Sequence, residues 1–197
     1  MPVSPPSPEA NVARKSGLTL AAHWLSALAV GLAFSLVWLR EALDDDAIGE
    51  RLLAWHRQLG LLVLLLLALR LVARWRQARQ DLALPALLHW ASQATQWLFY
   101  LLLLAMPLLG WAMSNAQGHA LQLFNLAPLP TLLPVDPDLA DSLQDWHELG
   151  ASCLLGLLGL HVLAALWHHA IRRDGVLASM LPLLRPRAPR APRPFDI

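Results

Sequence analysis

Two histidines fourteen residues apart, His147 and His161, bracket the stretch "HELGASCLLGLLGLH", which offers almost nothing that could hydrogen-bond a ring nitrogen. His23 and His56 sit in similarly apolar surroundings elsewhere in the 197-residue chain. An imidazole is a metal ligand or a hydrogen-bonding group, and away from water it must be satisfied as one or the other. Other chemistries lack their residues: there is no GxGxxG or GxxxxGK phosphate loop, no CxxC pair and no CxxCH motif. The single cysteine, Cys153, lies within an apolar run and cannot form an intrachain disulfide, so it reads as a small packing residue.

The elements that must position these histidines are four apolar runs, about Leu18 to Leu39, Leu52 to Ala73, Leu88 to Met113 and Trp146 to Ala170. At about 1.5 Å per residue each can cross a hydrocarbon layer of about 30 Å. The chain is 56% hydrophobic and only 15% charged, with the charges concentrated outside the runs, and its mean hydropathy is +0.45. A soluble bundle would show a polar face every 3.6 residues; "LLVLLLLAL" at 61 to 69 has none. Trp24, Trp38, Trp55, Trp75, Trp90, Trp111, Trp146 and Trp167 fall near run ends, where an indole meets lipid headgroups. The expected fold is therefore an all-α integral membrane protein, a four-transmembrane-helix bundle over residues 14–175.

Lys and Arg set its orientation. Arg14, Lys15, Arg74, Arg76, Arg79, Arg172, Arg173, Arg185, Arg187, Arg190 and Arg193 all fall on one side, whereas 114–145 carries no Lys or Arg. Both termini are expected to be cytoplasmic and the 114–145 connection outside. The first run reads as a retained span rather than a cleaved leader. Residues 1–13 and 176–197 are Pro-rich and, in the second case, Arg-rich; both read as flexible tails, the second able to rest on anionic lipid. The 114–145 connection is broken by Pro128, Pro130, Pro134 and Pro137, and a loop of its length often covers something.

With the spans oriented, the histidines fall at two depths. Fourteen residues at about 100° each stop about 40° short of four turns and rise about 21 Å, so His147 and His161 share one helix face at two levels. His56 lies at the outer level with His147, and His23 at the inner level with His161. Zinc wants three or four ligands at one point. Two nitrogens per site suit instead a low-spin haem iron, the flat macrocycle filling the space between helices. Gly60, Gly150, Gly156 and Gly159 could leave room for such planes or could equally serve close helix packing. Two haems stacked across a bilayer make an electron path.

The pieces "HW" (23–24), "WHRQLG" (55–60), "LRLVARW" (69–75), "YLLLLAMPLLG" (100–110), "WHELG" (146–150) and "GLHVLAALWHH" (159–169) resemble, in order and spacing, the bacterial cytochrome b561 family of four-helix dihaem membrane proteins. More loosely they resemble the cytochrome b subunits of nickel–iron hydrogenases and formate dehydrogenases. The match runs from Ser16 to Pro182. By position it implies haem b ligands at His23 with His161 (inner) and His56 with His147 (outer), the pairing that depth gives. It also implies propionate contacts at Arg70 and Arg74, with Arg57 as their counterpart and candidate entrance on the outer side, and quinone contacts at His168 or His169. His89 and His119 read as interfacial and loop residues. Many relatives carry a histidine shortly before the tyrosine matching Tyr100; this chain has Gln93 and Gln96 there.

The resemblance implies an oxidoreductase of the bacterial inner membrane. Two haem b pass electrons from an outer donor to ubiquinone, with membrane quinone and lipid as partners and no nucleic acid. One studied relative takes its electrons from superoxide. The acids Asp44, Asp45, Asp46, Glu50, Asp136, Asp138, Asp141 and Asp145 outnumber Arg40, Arg51 and Arg57 on the outer side. That balance keeps open the alternative of a periplasmic redox protein or larger enzyme as donor. A haem-free scaffold or transporter is a third reading, separated from both by the colour of the purified protein.

Overall fold

The computed structural model describes residues 16–76, 86–124, 126–173 and 176–181. The expected tail at 1–13, with Arg14, Lys15, Arg79 and residues 182–197 of the second tail, lies outside the described residues. Four long helices carry the fold: α1 (Gly17–Ala42), α2 (Asp46–Arg76), α3 (Ala86–Ala116) and α4 (Pro137–Trp167), with a short α5 (Val176–Met180) opening the segment expected to be a tail. All four long helices are long and apolar enough to span a membrane, with mean hydropathy of 1.7 to 2.1 over an 18-residue stretch of each. The described chain forms two compact units, one of Gly17–Gly159 and a second that includes the described residues from Leu160 onward.

Two helices begin well before the apolar runs, and their caps explain why. The Asp45 carboxylate accepts the Ile48 N–H at 2.9 Å, so α2 starts at Asp46 rather than near Leu52. Asp136 accepts from Leu139 N–H at 3.1 Å, which makes it the N-cap of α4, and Pro137 follows at the first helical position, where its missing N–H costs nothing. Pro137 thus starts a helix, where the sequence reading took it for one of the breaks in a loop. At the far end of α3, His119 N–H bonds to Ser114 O (2.8 Å) and Gly118 N–H to Asn115 O (2.9 Å). This is a Schellman turn, and Gly118, at φ +86, is the residue that can take its left-handed position.

The first unit packs tightest along α1, α2 and α3. Ala22, Ser26 and Ala29 are buried on one side of α1, and their small size lets α2 approach closely. Ala29, Val63, Leu66, Leu67 and Leu103 form the core, flanked by Val30, Leu59, Leu62 and Tyr100. Ser26 satisfies its hydroxyl within the helix, on Ala22 O at 2.7 Å. Leu28, Leu65, Leu101 and Leu155 remain exposed, which suits a hydrocarbon surround, since lipid gives no reason to hide them.

The chain after α3 is a small organised cap. Strands β1 (Gln122–Leu123) and β2 (Ala127–Pro128) form an antiparallel hairpin. The Gln58 amide of α2 pins it twice, donating to Gln122 O at 2.9 Å and accepting from Phe124 N–H at 2.8 Å. Buried Asn115 holds the next stretch, accepting from Leu132 N–H (2.8 Å) and donating to His119 O (3.0 Å).

Candidate functional site

His56 lies on α2 and His147 on α4, and the fold brings their rings to 6.1 Å between centroids, edge to face at 74°. His56 Nδ1 is 3.0 Å from the Ala33 carbonyl of α1. A carbonyl only accepts, so Nδ1 carries the hydrogen and Nε2 of the neutral ring keeps its lone pair. This is the arrangement that prepares an imidazole to ligate a metal.

His147 is fixed differently. Its Nδ1 is buried without a hydrogen-bond partner; the Met106 carbonyl acts on the ring but does not meet hydrogen-bond geometry. Gly110 of α3 leaves the room the ring occupies: a Cβ there would stand 3.3 Å from His147 Cε1. Two nitrogen–metal bonds of about 2 Å in line would set ring centroids roughly 6 Å apart. The separation, the prepared Nε2 of His56 and the unpaired His147 ring all fit a metal held between two axial imidazoles. Among the described residues no three His, Cys, Asp or Glu side chains converge as a metal cluster.

The glycines divide. A Cβ at Gly150 would meet Met106 Sδ at 2.6 Å, so Gly150 serves close approach of α3 and α4. At Gly60, Gly156 and Gly159 a Cβ would meet nothing within 4 Å, so these positions leave open faces rather than tight packing.

Arg57 follows His56 and is half-buried, with its Nε covered and unpartnered. It lines a cleft of about 260 Å³ with Ala54, Gln58, Ala120, Leu121 and Gln122, roofed by the pinned hairpin. The importance of Gln58 is invisible in the sequence, since a glutamine beside an arginine carries no signal of what it will hold.

At the other end of α1 and α2, Arg70 Nη2 is 3.2 Å from His23 Nδ1. A guanidinium only donates, so Nδ1 accepts here and the His23 proton stays on Nε2. Arg74 turns instead to α3: Nη1 donates to Gln96 Oε1 at 2.5 Å, and the guanidinium lies 5.9 Å from the Trp97 ring centre and 5.8 Å from that of Tyr100. Gln96 in turn donates to Tyr100 Oη at 3.2 Å. In the second unit, His161 is exposed on α4, and His168 and His169 open a π-helical turn, His168–Arg172. Single π turns recur at functional sites.

One tryptophan departs from the interfacial reading. Eight of the nine are exposed, but the Trp111 indole nitrogen is buried and unpartnered.

Comparison with known proteins identifies the family. The family model described as prokaryotic cytochrome b561 matches residues 14–183. A probable superoxide oxidase, CybB, of Yersinia pestis is 31% identical over 172 residues, 86% of this chain and 97% of that protein. Cytochrome b561 homolog 1 of Escherichia coli K12 is 27% identical over 81% of this chain and 92% of its own length. Homolog 2 from the same strain is 29% identical over 87% and 93%.

Proposed function

This chain belongs to the prokaryotic cytochrome b561 family of multi-pass, haem-binding electron-transfer proteins, and we propose that it is a superoxide oxidase that reduces membrane ubiquinone. The observation that carries the reading is the His56–His147 pair, 6.1 Å apart with Nδ1 of His56 committed to Ala33 O. The similarity to a probable superoxide oxidase along nearly its whole length supports the choice of donor.

In this reading two haem b are held by His56 with His147 near the outer surface and by His23 with His161 near the inner one. Haem iron so ligated supplies reversible one-electron chemistry. Both termini are cytoplasmic, the membrane is the bacterial inner membrane and the hairpin cap faces outside. Arg57 draws the small anion into the cleft beneath the hairpin. Two superoxide anions give up one electron each and leave as dioxygen; the two electrons, with two protons, convert one quinone to quinol. Arg70 holds a haem carboxylate: when His23 ligates through Nε2 its proton moves to Nδ1, which ends acceptance from Arg70 and frees the guanidinium. Arg74 serves the same end of the bundle, and His168 or His169 meets the quinone head group.

The test has two parts. Purified protein should release two non-covalent haems per chain into acid acetone. In stopped flow, pulsed superoxide should reduce the haems faster than superoxide dismutates in buffer. Reduction no faster than that control, in protein whose haems respond normally to quinol, would exclude superoxide and leave a periplasmic redox protein as donor.

A further inference from the structure

Arg74, Gln96 and Tyr100 form a chain of hydrogen bonds whose direction is set from one end to the other. A guanidinium only donates, so the contact from Arg74 Nη1 makes Gln96 Oε1 the acceptor. That orients the amide, and its Nε2 donates to Tyr100 Oη at 3.2 Å. Gln96 and Tyr100 are four residues apart on α3, about one turn, the spacing at which side chains meet along a helix. Tyr100 Oη thus accepts from within the protein and keeps its own proton to give. Among the described residues nothing accepts that proton. A phenylalanine would pack against the core of α1, α2 and α3 as the Tyr100 ring does; the hydroxyl adds a donor that the chain of bonds orients and does not consume.

The position of this donor limits what it can serve. Tyr100 precedes Gly110 by ten residues on α3, and His23 precedes Ala33 by ten on α1. Gly110 meets His147 and Ala33 meets His56, so Tyr100 and His23 both lie about 15 Å from that layer, toward the same end of the bundle. Arg70, which bonds His23 Nδ1, is one turn from Arg74 on α2. The cluster also has an open side: Trp97 is 59% exposed and Gln96 is exposed beside it. A lipid phosphate would draw an arginine out to itself. Arg74 instead turns onto the protein, against the Trp97 and Tyr100 rings and onto Gln96, and the group left with a proton to give is neutral. A neutral, flat molecule that arrives through lipid and carries carbonyl acceptors matches both the hydroxyl and the exposed indole face. We propose that the Tyr100 hydroxyl donates a hydrogen bond to a carbonyl oxygen of the membrane quinone, with Trp97 offering its ring face and Gln96 orienting the hydroxyl. The inference rests on the quinone reading above and adds to it a donor on α3 that had no role there.

The experiment uses the full-length, haem-loaded protein in lipid nanodiscs, with a short-chain ubiquinone carrying isotope-labelled carbonyls as the probe. Tyr100→Phe keeps the ring and removes the donor. Its dissociation constant for the probe should rise by about 2- to 12-fold, the worth of one hydrogen bond, and the infrared band of one labelled carbonyl should move to higher frequency as that bond is lost. Gln96→Leu leaves Tyr100 its proton but removes the donor that polarises the hydroxyl, so the same band should move the same way by less. An unchanged constant and an unmoved band in Tyr100→Phe overturn the proposal. A shifted potential of the His23–His161 haem with probe binding unaltered also overturns it, since the hydroxyl would then serve a haem carboxylate, and so does a loss of bound anionic phospholipid in place of quinone. Should Tyr100→Phe fail to assemble, Gln96→Leu decides, and a carbonyl band that stays put there overturns the assignment. If the unsubstituted protein binds no probe and its haems do not respond to quinol, the quinone reading itself falls.

Discussion

Gly110 of α3 faces His147 of α4 and Gly150 of α4 faces Met106 of α3, and substituting alanine at each separates distance from deformability. At Gly150 the new Cβ would stand 2.6 Å from Met106 Sδ, and at Gly110 3.3 Å from His147 Cε1 and 3.7 Å from its Nδ1. Distance alone says Gly150→Ala is the worse change. Deformability says otherwise for the chemistry: a thioether on a chain of three rotatable bonds can swing aside, whereas an imidazole tied, as proposed, to a haem iron at its far nitrogen cannot. Comfortable carbon contacts lie at about 3.5–4.0 Å, so the ring must withdraw by about 0.2–0.7 Å. Taken as a tilt away from its preferred rotamer, that costs about 0.5–1.5 kcal/mol, or roughly 2- to 12-fold in haem occupancy at that site. The assay is transfer of haem to an excess of an apo haem acceptor, followed at the bands of each haem, with the ferric electron paramagnetic signal reporting ring orientation. Gly110→Ala should speed release from one site only and move its signal; Gly150→Ala should lower thermal stability and leave both signals in place. If Gly150→Ala perturbs the haem signal while Gly110→Ala does not, the reasoning from the His147 ring is refuted.

Other outcomes follow from the same geometry. His147→Ala should remove the haem it shares with His56 or convert it to high spin, and His161→Ala should do so for the other, because about 21 Å of helix separates them; loss of both haems from either change, in stable protein, would break the pairing. Gln58→Ala deletes two hydrogen bonds to the hairpin, a loss of about 1–3 kcal/mol, so amide exchange at residues 122–128 should rise by roughly 5- to 150-fold while α2 stays protected; equal protection in variant and parent would mean the hairpin is held elsewhere. Arg57→Glu should slow superoxide-driven haem reduction, and the parent rate should fall with ionic strength, since an anion is being steered; reduction by quinol should change far less, and an unaltered superoxide rate would remove Arg57 from the entrance.

The four spans and the meeting of His56 with His147 were legible because periodicity, length and imidazole chemistry are local. What was not legible is where backbone supplies the partner. Nothing in the residue string says that the Ala33 carbonyl will set the tautomer of His56, because any residue at 33 would present the same oxygen. The doubling of Gln58 as a clasp is hidden for a related reason: both of its partners are main-chain atoms of the hairpin. Trp111 was misread because it lies near the end of a run, as interfacial indoles do; only the folded chain shows that the nitrogen is covered. The glycines looked alike in sequence and are not, since Gly150 meets Met106 while Gly60 meets open space.

The acidic balance that told against a superoxide entrance changes meaning once the helix ends are known. Asp45 and Asp136 are N-caps whose carboxylates accept Ile48 and Leu139 N–H groups, and Asp46 and Asp138 sit in the first turns of α2 and α4. Each of those helix ends carries the equivalent of roughly half a positive charge. Four of the eight acids counted in the sequence therefore lie against positive helix ends, and their far field is weaker than their formal charge. An anion arriving at the cleft meets the permanent charge of Arg57 at close range and the capped acids from a distance, where about 8 Å of screening at physiological salt already attenuates them. Composition averages these charges together. The fold separates them, so a face that is acidic on paper does not tell against the proposed entry of a small anion.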